Sequence, residues 1–352
     1  MVVEGGMDAL TGTVLDFVLR EGAAASGSAT TETLEGGPPS TDLRYVLPGA
    51  RSAVSFAVPL DPDLIEPYLA KRERLAHERD NLRANAVASG IAKHLAGYLE
   101  QKGYPSFPIA SNNIYRDDTP GGRLDMLPDI SLRYLAVRSG VGSFGLSGNV
   151  LLAEYGASVI LGGVVTTAAL VPTAPLPPDA GYCDACRICL AACASGMMDP
   201  KEKTRVSLGG LEFTYARRRD YLRCEFVCGG MTGLHPSGQW STWSPGRFTI
   251  PEKNEAFRAA MARGIQAYNR RPPLEGGYYH PLMKERLQFT CGNCQLVCHP
   301  EKHVRKRRLD LLRSSGVVVQ SEDGSLSVFS PEEASHRLHA MAPPRRSLYE
   351  DS

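Results

Sequence analysis

Cysteine spacing predicts the chemistry of this sequence more clearly than any other feature. Its nine cysteines all lie between Cys183 and Cys298. Most of them form two runs, Cys183-x2-Cys186-x2-Cys189-x3-Cys193 and Cys291-x2-Cys294-x3-Cys298. Short spacers of this kind let thiolates from one tight loop bind separate irons of a [4Fe–4S] cubane, while the fourth cysteine of the first run binds a second cluster. The two runs therefore predict two iron–sulfur clusters.

The same spacing divides the cysteines into two ligand sets. Each cluster takes four thiolates, so two clusters need one more thiolate than the two runs supply. One cluster is assigned Cys183, Cys186, Cys189 and Cys298. The other is assigned Cys193, Cys291, Cys294 and one further cysteine, either Cys224 or Cys228. A four-thiolate zinc site of Cys183, Cys186, Cys291 and Cys294 is the alternative. Zinc would leave Cys189, Cys193 and Cys298 without a role, so the spacing favours clusters.

Composition indicates a globular protein with almost no net charge. The chain has 352 residues, of which 43% are hydrophobic and 22% charged, and its formal net charge is +1. These values exclude a disordered chain or a coiled coil, and they predict no strong field that would attract polyanions. The length predicts about two domains.

The cellular compartment is predicted from the absence of targeting signals. The N-terminal residues have no basic segment followed by an apolar core and no twin-arginine pair. The most apolar stretch, Ala157–Val171, is too short and too rich in glycine and threonine for a membrane span. We therefore expect a cytoplasmic protein with no membrane partner. Thiols stay reduced in that compartment, which favours metal binding over disulfides.

Hydrophobic periodicity predicts a mixture of helices and strands. The predicted helices are Met7–Glu21, Pro67–Lys102 and Ser131–Arg138. The predicted strands are Ala50–Leu60, two within Val150–Leu170, and a C-terminal hairpin of Gly316–Gln320 and Ser325–Phe329. The small, polar and glycine-rich stretch Gly22–Thr41 is predicted to be a loop. This mixture predicts an α/β or α+β fold.

Composition along the chain also suggests four parts. Residues 1–44 would form an N-terminal helix and linker, and residues 45–175 an α/β domain for cofactor and substrate. The proline-rich stretch Val171–Pro178 marks the next boundary. Residues 176–310 would form the cluster domain, and residues 311–352 a C-terminal hairpin and tail.

A glycine-rich segment precedes the apolar strands. Gly140-Val-Gly142-Ser-Phe-Gly145 fits the G-x-G-x-x-G pattern of dinucleotide-binding folds. That motif should follow a strand, whereas the preceding segment is predicted to be helical, and no acidic residue follows at the required distance. We expect these glycines to let the backbone pass close to a different ligand.

The sequence around this glycine segment resembles epoxyqueuosine reductases and reductive dehalogenases. The similarity lies in Asp129-Ile-Ser-Leu-Arg133-Tyr-Leu-Ala136, in the glycine segment continued as Leu-Ser-Gly148-Asn149, and in Tyr155-Gly156, Gly162-Gly163-Val-Val-Thr166 and Leu170. Two further features are similar to epoxyqueuosine reductases. One is the start of the first predicted strand, Leu47-Pro48-Gly49-Ala50-Arg51-Ser52, and the other is the order of the cysteine runs, with a middle cysteine between them. The resemblance covers roughly residues 45–300, and its most specific part is the cysteine pattern.

The resemblance implies an oxidoreductase with a particular architecture. Cobalamin would be held between a nitroreductase-like corrinoid-binding domain and a ferredoxin-like domain with two [4Fe–4S] clusters. Electrons from an external donor of ferredoxin or flavodoxin type would pass through the clusters to cobalt, and low-valent cobalt would attack or reduce the substrate. The substrate would be epoxyqueuosine in tRNA. The alternatives are a reductive dehalogenase-like reductase of a small organic molecule and a non-enzymatic electron-transfer protein.

The resemblance also implies roles for individual residues. In epoxyqueuosine reductases an aspartate before the glycine segment is the proposed proton donor, and the candidates here are Asp125 and Asp129. A turn or helix cap before Ser131 is their alternative role. The middle cysteine of these families follows a charged stretch, which favours Cys224 over Cys228 as the eighth ligand. Cobalamin contacts are expected from Arg133, Gly140, Gly142, Gly145, Gly148, Asn149 and Thr166.

Two basic runs are candidates for contact with RNA phosphates. They are Arg217–Arg219 and Lys302–Arg308. Solvated helix faces produce the same pattern, and the net charge adds no support for an RNA-binding surface.

Overall fold

The computed structural model describes residues 2–110, 114–119, 121, 125–276 and 290–351, with side chains from residue 7 onward. The described helices are α1 (Val2–Arg20), α2 (Ile65–Leu69), α3 (Leu75–Gln101), α4 (Leu132–Arg138), α5 (Ile188–Ala191), α6 (Leu222–Cys228), α7 (Phe257–Arg270), α8 (Asn293–Leu296), α9 (Lys302–Arg313), α10 (Pro331–His339) and α11 (Pro343–Arg346). The described strands are β1 (Ala25–Thr30), β2 (Ser52–Pro59), β3 (Ser106–Ile109), β4 (Ser143–Phe144), β5 (Val150–Leu151), β6 (Val159–Thr166), β7 (Met198–Leu208), β8 (Leu211–Arg218), β9 (Val317–Gln320) and β10 (Leu326–Phe329).

These elements form two compact units whose ranges alternate along the sequence. Unit 1 comprises Met1–Leu60, Arg83–Cys186 and Glu202–Ala216. Unit 2 comprises Asp61–Leu82, Arg187–Lys201 and Arg217–Ser352. The four-part division expected from composition stays a prediction.

Unit 1 is built on an antiparallel sheet of strand order β1-β2-β6-β3. Strand β2 is central and buried along nearly its whole length, and its register pairs Ser52 with Thr166 and Pro59 with Val159. Helix α4 packs against β2 and β6. This helix begins where it does because the Ser131 side chain accepts a hydrogen bond from the Tyr134 amide, a standard N-cap. The mixed fold expected from the sequence is confirmed, in its α+β form.

The core of unit 1 anchors the glycine-rich segment. Buried apolar residues of α4 and of the following turn pack with those of β5, β6, β7 and β8. The hydroxyl groups of Tyr134 and Tyr215 are 2.8 Å apart inside this core. Because buried hydroxyls need hydrogen-bond partners, this pair joins α4 to β8 without leaving a buried polar group unpaired.

Unit 2 carries most of the cysteine-bearing elements. The short helices α5 and α8 pack against each other, and α5 also contacts α9. A separate cluster of apolar residues joins α6 to α7, with Phe226, Met231 and Phe257 fully buried. The hairpin of β9 and β10 packs against α10 through Val317, Val319 and Ala334, which confirms the predicted C-terminal hairpin.

Two of the predicted elements were wrong. The predicted loop Gly22–Thr41 contains β1, which pairs with β2 from Ala25 to Thr30 although its sequence is small and polar. The predicted helix Pro67–Lys102 is divided into α2 and α3. The division lies at Lys71, whose left-handed φ of 52° ends the helical path, and its buried ammonium donates a hydrogen bond to Ser315.

In the part of the chain that the structure describes, no helix combines the length and the apolar character that crossing a membrane requires.

Candidate metal centre

Each cysteine run has one member on a short helix. Cys189 lies on α5 and Cys294 on α8, and the two helices pack together within unit 2. Cys193 follows α5 closely, and Cys291 comes just before α8. Helices this short are not stable alone, so their position depends on packing against the rest of unit 2.

Helix α6 brings two further cysteines to the same place. Cys224 and Cys228 are one turn apart on this helix, and their sulfur atoms are 3.5 Å apart. The Cys228 thiol also hydrogen-bonds to Cys291. The structure therefore joins Cys224 and Cys228 of the middle segment to the second run.

Thr290 fixes the segment before α8 that carries Cys291 against α6. Its amide donates to the Cys228 carbonyl over 3.2 Å, and its hydroxyl donates to the Val227 carbonyl over 2.8 Å. The Thr290 carbonyl in turn accepts the Trp243 amide at 3.0 Å. These bonds hold the segment of Cys291 beside Cys228 and restrict its movement relative to α6.

Electrostatics shows that Cys193 and Cys294 belong to this group of thiols. Burial raises the pKa of both thiols, and the nearby Cys224 and Cys291 thiols raise it further. The pKa of Cys291 is lowered to about 7 because the Cys228 thiol and the amides of Asn293 and Gly292 donate hydrogen bonds to it. The structure thus gathers five thiols, which we call the five-thiol group: Cys193, Cys224, Cys228, Cys291 and Cys294.

The donor chemistry of the five-thiol group fits an iron–sulfur cluster. Thiols that burial makes hard to ionise become ligands when a bound cation supplies the compensating charge. A cubane takes one thiolate on each of four irons, so its ligands do not converge on one point. Among the residues that the structure describes, no three or more His, Cys, Asp or Glu side chains are placed to hold a single metal ion.

The other four cysteines are the first three of the first run and the last of the second run. Cys189 is buried, whereas Cys183, Cys186 and Cys298 are half-buried. The backbone of the first run curls sharply, with left-handed φ values of 53° at Ala185 and 63° at Arg187. Their assignment to one cluster stays a prediction from the spacing.

The choice of Cys224 rather than Cys228 as eighth ligand can be tested by serine substitution. Cys224 is an electrostatic neighbour that raises the pKa of both Cys193 and Cys294, so it lies near two predicted ligands from different runs. We expect Cys224→Ser to lower the iron bound per chain by about half, and Cys228→Ser to leave it unchanged. Iron analysis after anaerobic reconstitution measures this. The opposite pattern would assign the ligand to Cys228.

The glycine-rich segment has close contacts within unit 1 itself. Gly140 has a left-handed φ of 72°, and a β-carbon there would lie 2.3 Å from the Ala174 carbonyl oxygen. A β-carbon at Gly142 would lie 2.7 Å from the Leu151 carbonyl oxygen. The Leu146 amide donates to the Cys183 sulfur over 3.3 Å, so this segment also reaches the first cysteine run. These contacts explain the glycines at 140 and 142 through packing of the chain on itself.

Gly140→Ala is expected to destabilise the protein because both the backbone conformation and the Ala174 contact oppose a side chain. The free energy of unfolding should fall by about 2–4 kcal/mol. The matched control is Gly97→Ala on α3, where a β-carbon would meet nothing within 4 Å. That change should be neutral or stabilise the helix by up to about 1 kcal/mol. Urea unfolding of both variants measures the difference; equal effects would contradict the packing role of Gly140.

The remaining residues predicted to contact cobalamin also have partners within unit 1. Arg133 donates to the Gly148 carbonyl over 2.8 Å, and its guanidinium lies 5.6–5.9 Å from the rings of Tyr134, Phe144 and Tyr215. The Asn149 carbonyl accepts the Gly145 amide at 2.9 Å. Thr166 is fully buried, and its hydroxyl accepts a hydrogen bond from Ser106 at 2.9 Å. Their roles toward a cofactor stay predictions.

The two candidate acids have different surroundings. Asp129 is buried, and burial raises the pKa of its carboxyl group. One of its oxygens accepts the Ile130 amide at 2.6 Å, and its main chain bonds to Ile114 and Arg116. Asp125 is exposed, and its amide donates to the Gly121 carbonyl. Of the two, Asp129 is the buried one, and a buried carboxyl group with a raised pKa is the better candidate for a proton donor.

The two basic runs are partly used by the fold. Arg217 and Arg219 both form ion pairs with Asp199, at 3.3 and 3.4 Å. On α9, Arg308 is buried and Arg307 forms an ion pair with Glu66 at 2.6 Å. These contacts favour a structural role for much of the basic charge over an RNA-binding surface.

Sequence reasoning missed Thr290 and the contact between Cys228 and Cys291. Threonine before a cysteine carries no distinctive signal, and the contact joins segments that are far apart in sequence. Only the four-residue spacing of Cys224 and Cys228, which puts both on one face of a helix, could have suggested that they face the same site.

Comparison with known proteins supports the resemblance inferred from the sequence. No protein-family model matches the chain. The epoxyqueuosine reductase of Gloeobacter violaceus is 29% identical over 163 residues, which cover 46% of this chain and 45% of the relative. The epoxyqueuosine reductase of Synechocystis is 29% identical over 159 residues, which cover 44% of this chain and 48% of the relative. The matched segment thus spans about half the length of these curated relatives.

Similar solved structures include proteins of both families. A Bacillus subtilis epoxyqueuosine reductase has a TM-score of 0.42 at 15% identity, covering 96% of this chain and 88% of its own. A catabolic reductive dehalogenase has a TM-score of 0.47 at 13% identity, covering 73% of this chain and 36% of its own. By sequence, the chain is similar to curated epoxyqueuosine reductases over slightly less than half of its length, which confirms the predicted resemblance.

Proposed function

We propose that this chain is an iron–sulfur reductase of the epoxyqueuosine reductase kind, with two [4Fe–4S] clusters and cobalamin as cofactors. The five-thiol group carries this proposal. It joins cysteines from the first run, from α6 and from the second run, as the ligand pattern of the second cluster requires. The names of the curated relatives support the same reaction class.

The residues assigned to each cofactor follow from spacing and contacts. Cys193, Cys224, Cys291 and Cys294 would hold one cluster, and Cys183, Cys186, Cys189 and Cys298 the other. When bound, the clusters supply one-electron transfer and the corrinoid supplies a low-valent metal for reduction of the substrate. Gly140, Gly142, Gly145, Gly148, Arg133, Asn149 and Thr166 stay the candidates for the corrinoid-binding side of unit 1.

The chain's own contribution to the proposed reaction is a positioned proton donor. Asp129 is buried and its carboxyl holds a proton more readily than an exposed aspartate, because burial disfavours the charged form. The Ile130 amide fixes one carboxyl oxygen at 2.6 Å, so the group has a defined orientation. A positioned acid of this kind protonates an oxygen that accumulates negative charge as its bond breaks.

The substrate we propose is epoxyqueuosine in tRNA, acted on in the cytoplasm with electrons from a ferredoxin or flavodoxin. The relatives' name supports the substrate class. The test is anaerobic incubation of the reconstituted full chain with epoxyqueuosine-containing tRNA, cobalamin and a low-potential reductant, followed by nucleoside analysis. Cobalamin-dependent formation of queuosine is the expected result. Reduction of halogenated organic substrates instead would favour a dehalogenase-like enzyme. Bound clusters without any cobalamin binding would favour an electron-transfer protein.

A further inference from the structure

The segment that follows α2 places a buried lysine near the five-thiol group. Helix α2 packs against α8, which carries Cys294, and against α9. Just after α2, Lys71 has a left-handed φ of 52°, which turns the chain away from the helical path. Its side chain is buried, and its ammonium donates a hydrogen bond to Ser315, which follows α9. The lysine is therefore held in a defined position inside unit 2.

Hydrogen bonds through Trp243 connect Lys71 to the segment of Cys291. The Lys71 amide and the Trp243 indole nitrogen both donate to the Tyr68 carbonyl over 3.1 Å. The Trp243 amide donates to the carbonyl of Thr290, the residue before Cys291, over 3.0 Å. Trp243 is itself buried. The main chain at Lys71 is thus tied to the main chain beside Cys291 through one buried side chain.

Lys71 and Cys291 also interact electrostatically. Burial lowers the pKa of Lys71 to about 7, and Cys291 opposes that shift. The pKa of Cys291 is lowered to about 7 mainly by the hydrogen bond from the Cys228 thiol, and Lys71 contributes to the lowering. Because the ammonium is buried, solvent and salt screen its charge much less than they screen a surface charge. A protonated Lys71 therefore acts on whatever charge the five-thiol group carries.

A fixed positive charge near an iron–sulfur cluster favours the reduced state of that cluster. Reduction adds a negative charge to the cluster, and the reduction potential depends on net charge, hydrogen bonds to sulfur and solvent exposure. Arg218 also acts on this site: burial raises the pKa of Cys294, and Arg218 partly opposes that shift. Arg218 is only half-buried, so solvent weakens its effect more than that of Lys71.

We propose that Lys71 is a positioning residue for electron transfer, whose buried ammonium raises the reduction potential of the cluster held by Cys193, Cys224, Cys291 and Cys294. Lys71 acts through the cluster and does not touch the substrate. A higher potential makes this cluster easier for an electron donor to reduce. This inference rests on the proposed function, which supplies the cluster.

A redox titration of the reconstituted full chain tests this proposal, monitored by electron paramagnetic resonance at about pH 6. This pH lies below the pKa of about 7, so Lys71 carries its charge. The signal that Cys291→Ser lacks identifies the cluster. We expect Lys71→Met and Lys71→Gln each to lower the equilibrium constant for its reduction by at least about tenfold, which makes the midpoint at least about 59 mV more negative for a one-electron couple.

The two neutral variants separate the charge of Lys71 from its hydrogen bond, because glutamine keeps a donor for Ser315 and methionine does not. The matched control is Arg72→Met, which removes the same charge from the exposed neighbour and should change the equilibrium constant by less than about twofold. An unchanged midpoint in either neutral variant would overturn the proposal. Loss of the cluster from both would also overturn it, because Lys71 would then have a structural role.

Failure of this inference and failure of the proposed function give different results. If the proposed function is wrong, the unchanged protein itself lacks the cluster that depends on Cys291. If only the role of Lys71 is wrong, the unchanged protein and the Lys71 variants bind the same iron and have the same midpoint.

Discussion

Replacement of Cys291 by serine should remove one of two clusters and leave the other in place. The reason is geometric: Cys291 contacts Cys228, and its charge acts on Cys193 and Cys294. Serine is a poor ligand for iron at a site built from thiolates, so the cluster that depends on this position should not assemble. Iron bound after anaerobic reconstitution should fall from about eight to about four per chain.

The matched control for Cys291→Ser is Cys228→Ser, which changes a thiol of the same group that the ligand assignment leaves unused. This control should bind as much iron as the unchanged protein. An electron paramagnetic resonance spectrum of the reduced Cys291→Ser protein should still contain the signal of the remaining cluster. Full iron content in Cys291→Ser would contradict the assignment of this cysteine.

Replacement of Asp129 by asparagine should nearly abolish reduction of the substrate while the cofactors stay bound. A positioned general acid contributes about 10²- to 10⁴-fold to a rate, and asparagine keeps the size of aspartate without a proton to give. Asp125→Asn is the control, since Asp125 is exposed and should change the rate by less than about threefold. Single-turnover rates with epoxyqueuosine-containing tRNA measure both variants.

The pH dependence gives a second readout for Asp129. Burial raises its pKa, so the protonated form persists to higher pH than in an exposed aspartate, and activity should fall as pH rises through that raised value. The residual activity of Asp129→Asn should lack this fall. A rate for Asp129→Asn within about threefold of the unchanged protein would remove Asp129 from the mechanism.

Local patterns predicted the parts of the structure that depend on nearby residues. Cysteine spacing predicted that Cys193 groups with Cys291 and Cys294, and these thiols do lie close together, whereas the ligand sets themselves stay predictions. The capping serine at position 131 and Gly140, two residues after Arg138, similarly mark both ends of α4. Such signals lie within a few residues of the feature that they predict.

Contacts between distant segments account for what the sequence did not reveal. Strand β1 forms from a small, polar sequence because pairing with the buried strand β2 outweighs its weak strand propensity. No proline or glycine marks the break in the helix at Lys71. The buried ammonium of Lys71 donates a hydrogen bond to Ser315, which follows α9 and is far away in sequence. The Cys228 contact with Cys291 likewise depends on tertiary structure.

The most direct test of the two-cluster reductase is the metal content of the full chain after anaerobic reconstitution in the presence of cobalamin. We predict about eight irons, about eight sulfides and about one cobalt per chain, with an absorption change when cobalamin is added. Fewer than about four irons together with bound zinc would contradict the account, because a structural zinc site would then explain the cysteine spacing.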